Sequence, residues 1–201
     1  MKTLSYLSLV LIVLSSAFSI HGQNCPEIKS DWLKKGVKLN YVINKETPFK
    51  VEIKNLEKGI DYLWYKNGIQ GFDVSITEDA LNNAYKQYNY IYGLPTEDTG
   101  LMLNDATSIF CSRKMFDEMV KNKKVTYYPY AKFEKSGFPV TLIFKEKKNF
   151  CIKQNGKEVA LECLVFEQEA GVEQLVVLNN PDYPLIVEMR LSFTIQLSSI
   201  E

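Results

Sequence analysis

The chain has 201 residues, of which 46% are hydrophobic and 24% are charged. Its 24 basic and 24 acidic side chains cancel, so nothing in the formal charge favours binding to nucleic acid or to an anionic membrane surface. The sole histidine of the sequence is His21, inside a segment that we expect to be removed, which argues against Ser-His-Asp or Cys-His catalysis and histidine-rich metal sites. No cofactor and no metal site are indicated by any motif.

The first residues have the layout of a secretory signal. Lys2 is followed by an almost unbroken apolar run from Leu4 to Leu14, and then by small or polar residues up to Gln23. A membrane-spanning helix needs about 20 apolar residues, and this run is closer to half that length. We therefore expect residues 1–22 to be a cleaved signal peptide. Residues 23–201 then form a single exported domain, periplasmic or secreted, without a transmembrane anchor.

An exported chain with an even number of cysteines invites a search for disulfides. The four cysteines are Cys25, Cys111, Cys151 and Cys163. Cys25 follows Gly22, Gln23 and Asn24 rather than the Leu-small-small pattern of an acylated cysteine. We therefore expect no lipid anchor at this position.

The Asn155-Gly156 dipeptide is a strong signal for a two-residue hairpin turn. Such a turn places Cys151 opposite Ala160, whereas Cys163 faces the other side of the ribbon, at the height of Lys148. A Cys151–Cys163 bond is therefore disfavoured unless a bulge shifts the register. We expect both of these cysteines to be buried thiols, and Cys25–Cys111 is the one pairing that we retain as a candidate bond.

In chain order, the first predicted elements are strands. Apolar residues alternate with others from Val37 to Ile43 and from Phe49 to Ile53, and again around Leu63 and Tyr65 and from Phe72 to Ile76. Gly59 and the Asn67-Gly68 dipeptide provide turns between these runs. The pattern predicts an antiparallel meander.

Two helices are predicted next. Thr77 is a suitable N-cap, and the residues after it recur at helical spacing, which predicts three to four turns that end by Gly93. The predicted buried face of this helix consists of Leu81, Ala84, Tyr85, Tyr88 and Tyr92. A second helix is predicted after Ser112, with Met115, Phe116, Met119 and Val120 on one face. Each helix has one face to bury.

The rest of the chain returns to strands. They are predicted near residues 124–130, 139–146, 149–154, 157–167, 172–178, 184–190 and 192–198, with turns at 136–137, 155–156, 170–171 and 179–182. Clean alternation from Leu185 to Leu197 predicts an antiparallel surface with one face in water. The predicted fold class is α+β: a curved, largely antiparallel sheet, in the form of an open or half barrel, with two short helices packed on one face.

Several clusters allow two interpretations. The Tyr127–Tyr130 stretch at a strand end fits either a binding rim or aromatic closure of a barrel end. The tyrosines near residues 85–92 fit packing against the sheet better than a stacking platform. Adjacent acids such as Glu78 and Asp79 are typical of solvated helix starts rather than of the paired carboxylates of a glycosidase. The Asn179–Asp182 segment is a turn that lacks the ordered spacing of a calcium loop.

Three stretches of sequence carry a resemblance to other proteins. They are EDALNNAYKQYNYIYG at 78–93, NDATSIFCSRKMFDEM at 104–119 and LNNPDYPLIVEMRLSFTIQLSSI at 178–200. In these stretches the chain resembles a group of uncharacterised exported proteins common in Bacteroidetes. In pattern alone it is also similar to the lipoprotein-carrier (LolA-type) superfamily, whose fold is an incompletely closed antiparallel barrel over helices. That second resemblance implies an apolar cavity that holds a lipid or lipoprotein tail, with the helices as a lid.

Three functions remain as hypotheses. The leading one is a non-catalytic exported protein that binds an apolar ligand such as a lipid or lipoprotein acyl chain. Its candidate cavity-lining residues are Leu81, Tyr85, Tyr88, Met115, Phe116 and Met119. The alternative is a cell-envelope protein–protein interaction module that uses an exposed strand edge or the Tyr127–Tyr130 rim. The third is a histidine-independent hydrolase, which needs two carboxylates with shifted acidities in one cleft.

Overall fold

The computed structural model describes residues 25–28, 31–88, 100–130, 138–169, 171 and 173–201, without the side chain of Tyr130. The expected signal peptide lies outside these residues, as do the last part of the predicted first helix, the predicted turn at 136–137 and Ala170 of the turn at 170–171. Among the residues that are described, no helix has both the length and the apolar character needed to cross a membrane.

The described residues form thirteen strands and two helices. The strands are β1 (Lys38–Ile43), β2 (Thr47–Asn55), β3 (Ile60–Lys66), β4 (Ile69–Ile76), β5 (Lys86–Tyr88), β6 (Leu101–Leu103), β7 (Ala106–Thr107), β8 (Lys124–Tyr130), β9 (Val140–Gln154), β10 (Lys157–Gln168), β11 (Gln174–Leu178), β12 (Ile186–Arg190) and β13 (Thr194–Ile200). The helices are α1 (Glu78–Asn83) and α2 (Arg113–Asn122).

All strands belong to one curved sheet in the order β6-β4-β3-β2-β1-β13-β12-β11-β10-β9-β8-β5-β7. Most neighbours are antiparallel, and the parallel pairs are β4–β6, β5–β7, β5–β8 and a short contact between the ends of β9 and β13. Over the residues that the structure describes, the sheet does not close into a barrel. The predicted fold class, an open and largely antiparallel sheet with two short helices, is confirmed.

The hairpin between β9 and β10 follows the predicted register. Asn155 and Gly156 both have positive φ, 48° and 80°, as a two-residue turn of this kind requires. Cys151 pairs with Ala160, and Lys148 pairs with Cys163. The predicted break near residues 147–148 is wrong, because β9 is one continuous strand that stays paired with β10 through this region.

The first helix is much shorter than predicted. It ends at Asn83, and the backbone of Ala84 is already extended, with ψ 144°. The chain then forms β5, which runs parallel to β8, and the Tyr128 amide donates to the Tyr85 carbonyl at 2.8 Å. The prediction of one helical face carrying Tyr85 and Tyr88 is therefore wrong. Sheet hydrogen bonds to a strand some 40 positions along the chain outweigh the local helical pattern.

The apolar residues separate into two core clusters. The first lies between β1–β4, α1 and the facing side of β10–β13, and it includes Leu39, Tyr41, Val51, Trp64, Leu161, Val187 and Leu197. The second lies under α2 and includes Met115, Tyr127, Leu142, Phe166, Val177 and Ile186. Neighbours along a strand belong to different clusters, as Val176 and Val177 do, so the middle of the sheet is buried on both faces.

The predicted wet face of the C-terminal run is consequently wrong for β12. Its residues from Ile186 to Met189 are all buried, including Glu188. Strands that are covered on both sides read as nearly continuous apolar runs, and Leu175–Leu178 is such a run. The alternation in β12 correctly predicts which of its residues share a face. It does not predict that the second face is also buried, because that face is covered by elements distant in sequence.

The disulfide joins Cys25 to Cys151, with a Cα–Cα distance of 6.2 Å. The predicted Cys25–Cys111 bond is therefore wrong, and so is the prediction that Cys151 is a buried thiol. Cys111 and Cys163 are free and buried, which confirms the prediction for Cys163 and the absence of a Cys151–Cys163 bond. Cys111 packs in the second core cluster, beside α2, where no described cysteine is bonded to it.

Candidate binding grooves

The six residues predicted to line an apolar cavity do not form one group. Leu81 and Tyr88 belong to the first core cluster. The three residues of α2, Met115, Phe116 and Met119, belong to the second and are buried. Tyr85 is half-buried against the second cluster, and its hydroxyl donates to the Glu118 carboxylate. An apolar cavity between these residues stays a prediction, and the two grooves described below are lined by other side chains.

The predicted aromatic rim is only partly a surface feature. Tyr127 is buried in the second core cluster, whereas Tyr128, its neighbour on β8, is 43% exposed. Phe138, close to the start of β9, is 90% exposed. In this stretch one ring therefore fills the core and the next faces solvent, and a binding role for the rim stays a prediction.

The outer edge of β9 is protected against strand addition. Within the described residues, β8 pairs with this edge up to Ile143 and β13 pairs with it from Lys153, and no strand is assigned between them. The uncovered stretch contains Lys145, Lys147 and Lys148, and the register with β10 shifts at its start. Lysines and bulges are the devices by which natural sheets block unwanted edge pairing.

A concave surface borders the first described residues. We call residues 25–28 and 31–37 the strap. Its start lies beside β10, where the Ala160 amide donates to the Pro26 carbonyl at 2.7 Å and the Ile28 amide donates to the Ala160 carbonyl at 3.1 Å. The Cys25–Cys151 disulfide links the same end of the strap to β9.

The far end of the strap is fixed to β2 and to the first core cluster. The Gly36 amide donates to the Ile53 carbonyl at 2.8 Å, and the Ile53 amide donates to the Val37 carbonyl at 2.9 Å. Between the two attachments, Trp32 inserts its side chain into the first cluster and is only 7% exposed. The strap therefore crosses from β10 to β2 over one end of the sheet.

Two open grooves border the strap. The first groove has a volume of about 690 Å³ and lies between the strap, the β9–β10 turn and the end of β13. Its apolar lining consists of Ile28, Trp32, Val37, Val159 and Ile200, and its charged residues are Glu27, Asp31, Lys34, Lys35 and Glu201. The second groove has a volume of about 470 Å³ and is lined by Glu27, Ile28, Trp32, Ala160, Glu162, Leu178, Asn179, Asn180 and Pro181.

The ends of β9 and β13 form the wall opposite the strap in the first groove. Ile200 pairs with Gln154 in parallel, and the Asn155 amide donates to the Ile200 carbonyl at 3.1 Å. Glu201 is fixed to β1 by two main-chain hydrogen bonds with Lys38. This wall is thus built from paired backbone, which gives the groove a rigid side.

A fixed negative charge lies on the rim of the second groove. The Glu162 carboxylate accepts hydrogen bonds from Asn179 and, at 3.1 Å, from Lys147. The Asn179 hydrogen bond, followed by that from Lys147, lowers the pKa of Glu162. Glu162 therefore stays ionised at neutral pH.

The chemistry of the remaining candidate groups is limited. Burial raises the pKa of the Cys163 thiol to about 12 and also raises the pKa of Cys111, so neither is a ready thiolate nucleophile.

In the turn at 179–182, the Asn180 side-chain oxygen accepts hydrogen bonds from the backbone amides of Asp182 and Tyr183 at 3.0 and 3.1 Å. That oxygen stabilises the turn, as expected of an Asx turn. Over the described ranges, no group of three His, Cys, Asp or Glu residues is arranged to hold a metal ion.

No family model, no curated protein and no solved structure matches the chain.

Sequence patterns indicate little of this site. The strap reads as a short polar segment after Cys25-Pro26, and periodicity is absent from it. The available signal is Trp32-Leu33, an isolated apolar pair between charged residues, which indicates an anchored segment rather than a free tail. The opposite wall, at Val159 and Ile200, comes from strands that are distant in sequence, so no local pattern connects it to the strap.

Proposed function

We propose that the protein is a non-catalytic, exported interaction module that binds an extended segment of a partner protein in the first groove. The observation that carries this proposal is the combination of an apolar lining with a charged rim in a groove of about 690 Å³. That volume lies inside the range of about 300–1,000 Å³ that is usual for ligand pockets.

The charges on the rim favour a peptide over an acyl chain. A bare hydrocarbon chain would remove water from Asp31, Lys34 and Lys35 without offering them a partner, which costs free energy. A peptide supplies main-chain donors and acceptors as well as side chains of either charge. Apolar side chains of the bound segment would pack on the half-buried Ile28 and on the small exposed parts of Val37, Val159 and Trp32.

Two observations support the non-catalytic and exported parts of the proposal. The free thiols are buried and protonated, so they are poor nucleophiles. A disulfide between residues 126 positions apart fits an oxidising compartment outside the cytoplasm, where such bonds persist.

The proposal is tested with oxidised residues 23–201 as bait for a phage-displayed library of random peptides. Selected peptides are synthesised, and their affinity is measured by calorimetry. We expect Val159→Trp, which fills the first groove, to weaken binding at least tenfold. Ile69→Trp is the matched control, because it adds the same side chain at an exposed position on β4, outside the groove, and should leave the affinity unchanged.

Because Val159 is also part of the core, a second variant separates blocked binding from poor folding. Lys35→Glu reverses an exposed rim charge and should change the affinity at least fivefold, whereas Lys45→Glu, an exposed lysine outside the groove, should not. Peptides that bind all four variants equally would contradict the proposal. Stoichiometric palmitate binding that Val159→Trp abolishes, without peptide binding, would instead favour the apolar-ligand hypothesis.

A further inference from the structure

The disulfide lies at the one end of the strap that is otherwise weakly held. Among the described contacts, the start of the strap is joined to β10 by two main-chain hydrogen bonds with Ala160, and the partly buried Ile28 packs against the first core cluster. Each such bond contributes only about 0.5–1.5 kcal/mol net. The far end is held differently, because Trp32 is inserted in the core and Gly36 is bonded to Ile53. Loss of the disulfide is therefore expected to free the start of the strap while its far end stays in place.

The two bonded cysteines are also the accessible ones. Cys25 and Cys151 are both half-exposed, whereas Cys111 and Cys163 are buried. Thiol–disulfide exchange needs an incoming thiolate to reach a sulfur of the bond, so exposure sets which bond can be reduced in the folded state. The free thiols Cys111 and Cys163 are poor attackers of the disulfide, since burial raises the pKa of both and keeps them protonated.

The freed residues line both grooves. Glu27 and Ile28 are adjacent to the bond and form part of the wall of the first groove and of the second. Movement of this short stretch would remove a charged group and an apolar group from each groove. The opposite wall, formed by the β9–β10 turn and the end of β13, depends on its own hydrogen bonds and stays in place.

We infer that the Cys25–Cys151 disulfide is a redox-operated latch, and that its reduction by a dithiol reductant opens the wall of the first groove and weakens its hold on a bound segment. In the reaction, a thiolate of the reductant attacks one sulfur and forms a mixed disulfide, and its second thiolate then displaces the protein sulfur. The Cys25–Cys151 bond is broken, a disulfide forms in the reductant, and the two protein sulfurs gain the two electrons and two protons. The effect on binding rests on the function proposed above, whereas opening of the strap does not.

Opening is measured by amide hydrogen exchange in the full exported domain, oxidised and after treatment with dithiothreitol. The reporter is the Ala160 amide, which donates to the strap, and the reference in the same sample is the Val165 amide, further along β10. We expect the ratio of the Ala160 rate to the Val165 rate to rise at least tenfold on reduction. Because a loss of global stability would raise the exchange rates of both amides alike, the ratio reports only the local change at Ala160.

Cys25→Ser should show the raised ratio without reductant, and dithiothreitol should not raise it further. Cys163→Ala, which removes a buried thiol, should respond to reduction as the unmodified protein does. An unchanged ratio in protein whose full reduction is verified by thiol alkylation and mass spectrometry would overturn the latch.

The second measurement is the affinity of a peptide selected on the oxidised protein, compared between the two redox states. We expect at least fivefold weaker binding after reduction. A raised exchange ratio with unchanged affinity would overturn the inference that the disulfide controls binding in the first groove. Failure to obtain any groove-dependent peptide would contradict the proposed function, and the exchange ratio would still show whether the bond holds the strap.

Discussion

Replacement of both bonded cysteines tests how far the disulfide stabilises the whole fold. The bond closes a loop between residues 126 positions apart. In the chain-entropy model, a loop of that length reduces the entropy of the unfolded chain by the equivalent of about 4.9 kcal/mol at 25 °C, and measured losses for native disulfides are about 2–5 kcal/mol. Because domains of this size are stable by only about 5–15 kcal/mol, Cys25→Ser/Cys151→Ser should lose a large part of its free energy of unfolding.

The assay is equilibrium denaturation in urea, followed by circular dichroism, with and without dithiothreitol. We expect the double variant to unfold at a lower urea concentration than the oxidised protein, with a steeper transition because its unfolded chain is less compact. Reductant should move the unmodified protein to the curve of the variant and leave the variant unchanged. A Cys111→Ala variant controls for the loss of a buried thiol and should keep its response to reductant.

Two results would refute this reasoning. The first is a fully reduced protein whose unfolding midpoint equals that of the oxidised protein. The second is a peptide map of the oxidised protein that joins Cys25 to Cys111, which would restore the pairing favoured by the sequence and remove the bond on which the latch depends.

The remaining predictions concern local features. Ser112→Ala should lower the free energy of unfolding by about 2–4 kcal/mol, because the buried hydroxyl both caps α2 and donates to the Ala84 carbonyl. Thr77→Ala, which removes only the cap of α1, should lower it by about 1 kcal/mol. Both values are measured by urea denaturation, and equal losses for the two variants would contradict this difference. Burial raises the pKa of Glu173, so its charged form is penalised in the fold and its contribution to stability falls as pH rises through the raised pKa. Glu173→Gln should therefore match the unmodified protein at pH 4 and exceed its stability at pH 8, and a variant that is less stable at pH 8 than the unmodified protein would contradict the assignment.

Sequence patterns predicted the features that depend on neighbouring residues. Asn155-Gly156 set the register of the β9–β10 hairpin correctly, because a two-residue turn with positive φ leaves only one pairing. Ser112 correctly marked the start of α2. Alternation located most strands, and the open, largely antiparallel architecture followed from their number and spacing. These features are local because turn and cap hydrogen bonds join residues that are a few positions apart.

The tertiary structure decided everything that depends on which distant segments meet. The helical pattern after Leu81 gave way to a strand because β8 offered hydrogen bonds to β5. The hairpin register excluded a Cys151–Cys163 bond but could not bring Cys25 to Cys151, since the strap reaches β9 only by crossing β10. The candidate groove has the same origin: the strap and the ends of β9 and β13 are far apart in sequence, and only the folding of the sheet places them side by side. Local interactions fix the elements, and the need to bury the apolar faces of distant elements together fixes the surface on which function depends.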